Sequence, residues 1–171
     1  ILTSATWQQS SIHPQAEKQH LVDPENKLLW RFNRQRLDFE SMRDSLLTVN
    51  GSLDPKLFGR SVQIEKTPFS TRRTVYAYID RQNLPPVFKT FDFSNPSEHS
   101  PKRAYTTVPT QGLFTLNHPF VLENARKAVA HAELHKLKNG EERITALYRS
   151  ILSRNPTPQE LKVSQQYVAA Q

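Results

Sequence analysis

The segment Asp23-Pro-Glu-Asn-Lys-Leu-Leu-Trp-Arg-Phe-Asn-Arg-Gln-Arg-Leu-Asp-Phe-Glu-Ser-Met-Arg-Asp-Ser-Leu-Leu-Thr-Val49 decides how this chain is read. It has a helix start, a helical period and a helix stop. Asp23 suits a cap, Pro24 suits a first helical position, and Asn50-Gly51 supplies the stop. At about 100° per residue, Leu28, Phe32, Phe39, Met42, Leu46 and Val49 share one arc. The spacing therefore predicts one long central helix from Pro24 to Val49 with a core-facing stripe. A second arc beside that stripe carries Asn33, Arg36, Glu40, Arg43 and Asp44. One reading of this arc is a polar pocket in which Arg36 and Arg43 orient an anionic ligand while Glu40 or Asp44 moves a proton. The other is a buried ion network that fixes helix orientation, with Arg36 and Arg43 neutralising Glu40 along the helix.

Outward from this helix, Ile1 to about Gln9 reads as the end of another helix, followed by a polar loop at His13-Pro14. From Gly51 to Pro109 the chain holds more than half of its twelve Pro and shows no long helical period. Within that stretch, Arg73-Thr-Val-Tyr-Ala-Tyr-Ile-Asp80 alternates with a period of two and predicts a strand. Its partner is expected near Ser61 to Glu65 or outside the chain. A short helix is predicted after Pro85-Pro86 and another after Pro109, then a longer one from Pro119 to about Asn139, stopped by Gly140. Glu141 to Ser153 places Ile144, Leu147, Tyr148, Ile151 and Leu152 on one face. Thr157-Pro-Gln-Glu160 is a capping box opening a last helix to Ala169. The expected fold is mainly α: a single irregular helical domain over residues 1–171 with one long central helix, a Pro-rich irregular middle and a small β element. Ile1 at the start and Met42 as the only Met set the expectation that this is a piece of a longer protein.

Composition narrows the chemistry. With no Cys among 171 residues, thiol nucleophiles, thiolate metal sites and covalently attached haem are excluded from this segment. No apolar run approaches the roughly 20 residues of a membrane-spanning helix. There is no Gly-x-Ser-x-Gly elbow, and four Gly cannot build a phosphate-cradling or dinucleotide loop, so no cofactor is expected here. The net charge of +7 is dispersed along the chain, which argues against nucleic acid as a partner, although Arg72-Arg73 beside Tyr76 and Tyr78 has the composition of a base-stacking platform. His131 and His135 lie one helical turn apart, the spacing of two metal ligands. They lack the adjacent Glu of a zinc peptidase and any third ligand in sequence, so solvated side chains are the simpler expectation.

Several segments together resemble a known family. They are Leu2-Thr-Ser-Ala-Thr-Trp-Gln-Gln-Ser10, Pro24 to Leu37, Glu40-x-x-Arg43-Asp44-Ser-Leu, Asn50-Gly-x-Leu-Asp54 and Arg72-Arg-Thr-Val-Tyr76. Phe91-Asp92, Thr106-Thr-x-Pro-Thr-Gln111, Leu116-Asn117 and Leu152-Ser-Arg-Asn-Pro-Thr157 continue the match in order. The chain resembles the C-terminal portion of the planctomycete domain-of-unknown-function 1553 family. That resemblance implies a large exported protein, periplasmic or at the cell surface, that often also carries a separate c-type cytochrome domain. It transfers no catalytic residue. Relatives often have a Cys before the basic pair Lys102-Arg103, and this chain has none there, so no redox role follows for that loop. The resemblance makes Arg36, Arg43, Arg72 and Arg73 candidate binding residues of one shared site. The expected function is a non-catalytic scaffold or interaction module whose partners are other domains of the same polypeptide, with an anionic or polysaccharide ligand. The alternative is a hydrolytic or polysaccharide-processing domain using Glu40 and Asp44 with the Arg residues around them.

Overall fold

The computed structural model describes residues 1–131 and 134–170, with the side chain of His135 outside the described residues. The chain is mainly α-helical. Its helices are α1 (Ala16–Val22), α2 (Phe39–Val49), α3 (Pro86–Thr90), α4 (Pro109–Asn117), α5 (Pro119–His131), α6 (Gly140–Leu152) and α7 (Pro158–Ala169). The chain divides into two compact units, residues 1–36 and 37–171.

In the first unit the predicted long helix is replaced by a turn, and the reason is local chemistry. The Asp23 carboxylate accepts the amides of Lys27 and Leu28 at 3.0 and 2.8 Å, and the Asp23 carbonyl accepts the Trp30 indole N–H. Asn26, buried and left-handed at φ 56°, donates to the Arg31 carbonyl and to Asn33 Oδ1, and accepts the Arg31 amide. Side chains thus take the backbone groups that a helix would have used. Asn tolerates the left-handed region for the same reason. Leu28 and Phe32, predicted on the core stripe, are exposed. Residues 1–9 form turns rather than a helix end, and α1 occupies what read as a polar loop. Aromatic edges join Trp7 to Phe32 and His13 to Trp30.

The second unit restarts the helix at Asp38, whose carboxylate accepts the Ser41 amide at 2.7 Å. Residues 33–38 carry no helix, so α2 is eleven residues long instead of spanning from Pro24. Its buried positions are Phe39, Arg43 and Leu47, one per turn. Phe39 centres the core, with ring centroids 5.3 Å from Phe88, 5.2 Å from Phe91 and 5.9 Å from Phe114. Ile64, Leu84 and Val87 complete the buried cluster. Helix α5 packs across α2, where the buried Asn50 amide donates to Asn124 Oδ1 and Asn124 donates to the Phe120 carbonyl.

The predicted strand over residues 73–80 is a 3₁₀ turn (Thr74–Tyr76) flanked by two isolated parallel bridges, Asp54 with Arg72 and Val62 with Ala77. Val62 supplies the partner expected near Ser61 to Glu65, through Val62 N–H to the Tyr76 carbonyl and Tyr78 N–H back to Val62. The ladder goes no further because its groups are engaged elsewhere: Asp44 holds the Thr74 amide, and Arg43 holds the carbonyls of Ser70 and Arg72. Asn139-Gly140, read as a stop, instead opens α6, with the Asn139 side chain accepting the Glu141 amide. The Thr157 capping box opens α7 as predicted, and hydrogen bonds from Arg154 above all hold the Glu160 carboxyl down to about 2.

Two junctions give direct tests. Helix α2 ends in a Schellman turn, with Ser52 N–H on the Leu47 carbonyl, Gly51 N–H on the Thr48 carbonyl, and Gly51 at φ 71°. A Cβ on Gly51 would meet His131 Cε1 at 2.7 Å. Gly51→Ala is expected to cost about 1–2 kcal/mol from the left-handed backbone alone, and more from the clash, with His131→Ala relieving only the clash in a denaturation series. At the α4–α5 junction, His118 Nδ1 accepts the Phe120 amide at 3.2 Å, a role that a protonated ring cannot fill. Burial holds this imidazole below its ordinary value while Glu65 pulls the other way. The unfolded chain therefore takes up a proton first as pH falls. Urea midpoints are expected to drop from about pH 6.5 downward, and His118→Asn should flatten that slope.

Candidate functional site

A cleft of about 450 Å³ opens over the first two turns of α2. That volume lies within the roughly 300–1,000 Å³ of small-ligand sites. One wall is Asp38, Glu40 and Asp44; the other is Arg73 and Thr74; Ala77, Ile79, Phe88 and Phe93 form an apolar floor. The carboxylates stand here because Asp38, the cap, sets the phase of α2, and residues 40 and 44 follow one turn apart on a flank of the buried stripe.

Beneath this wall lies Arg43, 1% exposed. Its Nη1 donates to the Arg72 carbonyl at 2.9 Å and to the Thr74 hydroxyl oxygen at 3.1 Å, its Nη2 donates to the Ser70 carbonyl, and its guanidinium stacks 4.9 Å from the Phe120 ring centre. Burial pushes the guanidinium down to about 10, with Asp44 opposing, so it stays charged at neutral pH. Asp44 Oδ1 accepts the Thr74 amide at 2.7 Å and the Thr74 hydroxyl at 2.6 Å, while Oδ2 lies 3.5 Å from Arg73 Nε. Glu40 receives Arg103 Nη1 on both oxygens, at 3.1 and 3.0 Å. Arg103 Nε donates to the Asp92 carbonyl, and its guanidinium lies 5.1 Å from the Phe93 ring centre. Burial raises the Asp38 carboxyl, but the Ser41 hydrogen bonds and the Arg103 charge outweigh it and hold the group low.

The predicted residues thus divide. Glu40, Asp44 and Arg73 meet at the cleft, and Arg43 underlies it. Arg36 precedes α2, so it shares no helix with Glu40. Arg72 is a loop clamp: it donates to the carbonyls of Lys56, Phe58 and Arg60 and stacks 3.9 Å from the Tyr76 ring centre. That contact covers one face of the Tyr76 ring. His131 closes α5 against Gly51, and the side chain of His135 lies outside the described residues. Among the described residues no three His, Cys, Asp or Glu side chains converge as metal ligands. Periodicity missed Arg103, which lies 63 residues from its Glu40 partner. Its one signal was the basic pair Lys102-Arg103 in the family resemblance.

Replacing Arg43 with Lys keeps the charge but leaves one ammonium to satisfy acceptors that a planar fork reaches on two sides. Arg43→Lys is expected to lower stability by about 2–4 kcal/mol, read as a shift in the urea midpoint at unchanged m.

A family model described as PSD1, protein of unknown function (DUF1553), matches residues 1–168. Comparison with curated proteins and with solved structures gives no match.

Proposed function

The chain belongs to the PSD1 family of proteins of unknown function, and from that premise we propose that it is a non-catalytic scaffold or interaction module of a large exported multidomain protein. Its partners in this reading are other domains of the same polypeptide, and haem chemistry, where a parent protein carries it, belongs to a separate domain with its own Cys. This segment then needs no cofactor of its own.

One observation supports the reading above all others: both candidate catalytic carboxylates are committed to the fold. Glu40 has both oxygens on Arg103, and Asp44 is hydrogen-bonded twice by Thr74 and flanked by Arg43 and Arg73. A general acid must present its carboxyl to the leaving group, and both Glu40 oxygens are turned to Arg103 instead. A general base needs a lone pair facing the substrate; both Glu40 oxygens face Arg103, and Asp44 Oδ1 is taken by the Thr74 amide and hydroxyl, with Oδ2 held beside Arg73. The hydrolytic alternative therefore has no support. The arrangement instead suits a rigid surface, because each pair joins elements distant in sequence.

The test separates stability from turnover. Glu40→Gln and Asp44→Asn are each expected to lower stability by about 1–3 kcal/mol in chemical denaturation, while the unaltered protein releases no reducing ends from a panel of polysaccharides. Hydrolysis by the unaltered protein that Glu40→Gln abolishes at unchanged stability would sink the proposal.

A further inference from the structure

The cleft over α2 combines three properties. Its charge is balanced: the carboxylates Asp38, Glu40 and Asp44 lie within 4 Å of the guanidiniums of Arg43, Arg73 and Arg103, pair by pair. Hydrogen-bonding capacity nevertheless remains open. Arg73 is half exposed, meets Asp44 only through Nε, and among the described residues its Nη groups take no hydrogen bond. Asp38 Oδ2 lies 3.8 Å from Arg103, beyond hydrogen-bond reach, and among the described residues Asp44 Oδ2 has only the 3.5 Å contact with Arg73. Finally, the floor is apolar, with Ile79 and Phe93 partly open and Val75 exposed at its edge.

Each property removes a class of ligand. A free anion would compete with Asp44 for Arg73, and a free cation would compete with Arg103 for Glu40, so a charged ligand gains little in a site that is already neutral. A purely apolar ligand would leave the guanidinium and carboxylates of the walls without water, at the cost of burying unpaired charge. What remains is a neutral molecule with one apolar face and several hydroxyls. Each hydroxyl donates once and accepts twice. Neighbouring hydroxyls can therefore accept from Arg73 Nη and donate to Asp44 Oδ2 or Asp38 Oδ2, while ring C–H groups lie on Phe93 and Ile79.

We infer that this cleft binds a neutral saccharide. The inference rests on the non-catalytic reading, because carboxylates fixed by Arg103, Arg73 and Thr74 hold a sugar without cleaving it. Arg73 supplies the open donors, Asp38 and Asp44 the open acceptors, and Val75 shapes the rim.

Backbone amide NMR of the ¹⁵N-labelled full chain tests it, with cellobiose, maltose and N,N′-diacetylchitobiose as neutral probes at millimolar concentration. Digalacturonate serves as the anionic probe and a neutral tripeptide as the competing class. The expected result is saturable shifts confined to amides around Ser41, Arg73, Val75 and Phe93 with at least one neutral disaccharide. Digalacturonate and the peptide should bind roughly tenfold more weakly or worse. Arg73→Ala should weaken sugar binding by a similar factor. Val75→Trp, at an exposed position that tolerates the change, should block the cleft while leaving the unfolding midpoint in place. No localised shifts with any neutral probe, tighter binding of digalacturonate or the peptide, or binding unchanged in both variants would overturn the inference. Cleavage of a bound disaccharide would instead overturn the non-catalytic reading.

Discussion

The buried guanidinium of Arg43 is the constraint around which the second unit is organised. A charge removed from water must meet acceptors on most of its N–H groups or it destabilises the fold that holds it. On α2 itself the Asp44 carboxylate comes no nearer than 3.9 Å, and the helix carbonyls serve the helix. The acceptors are therefore the carbonyls of Ser70 and Arg72 and the Thr74 hydroxyl oxygen, with the Phe120 ring covering one face. Meeting that demand fixes the irregular middle of the chain against α2 and brings α5 across it.

Other features follow from the same demand. With their carbonyls turned toward Arg43 and the Thr74 amide turned toward Asp44, residues 70–74 cannot extend a ladder, and the local structure becomes a 3₁₀ turn with single bridges on either side. Arg72, next in the chain, clamps the loop at residues 56–60 by the same device of a guanidinium filling with carbonyls. Arg103 closes the far side of α2 through Glu40 and the Asp92 carbonyl. A chain lean in apolar residues thus uses arginine to tie together segments that have too little hydrophobic surface to hold themselves. The polar cleft is a consequence, since the carboxylates that neutralise these guanidiniums line its wall.

Much of the helical framework was legible because its signals are local. Pro at the first helical positions of α3, α4, α5 and α7, the Thr157 capping box and the Asn50-Gly51 stop each report a backbone requirement satisfied within a few residues. The segment from Pro24 to Leu37 misled for a physical reason: Asp23 and Asn26 carry side chains that compete with a helix for its own amides and carbonyls, and apolar spacing does not register that competition. Asp38 was the true cap, and an Asp just before Phe39 with Glu40 in the first turn was its signal. Asn139-Gly140 fits either a stop or a start, and only the Asn139 hydrogen bond to Glu141 distinguishes them.

By itself, then, the sequence determined a mainly α chain, its family, the exclusion of thiol chemistry, and the placing of Glu40, Arg43 and Asp44 within one turn of a helix. These properties depend on residue type and short spacing, which a linear text preserves. The tertiary structure alone decided which partner each charged group meets: Arg103 for Glu40, Arg73 and Thr74 for Asp44, and backbone carbonyls for Arg43. Those choices are made between residues tens of positions apart, by burial and the need to satisfy every charge taken out of water, and no periodicity encodes them.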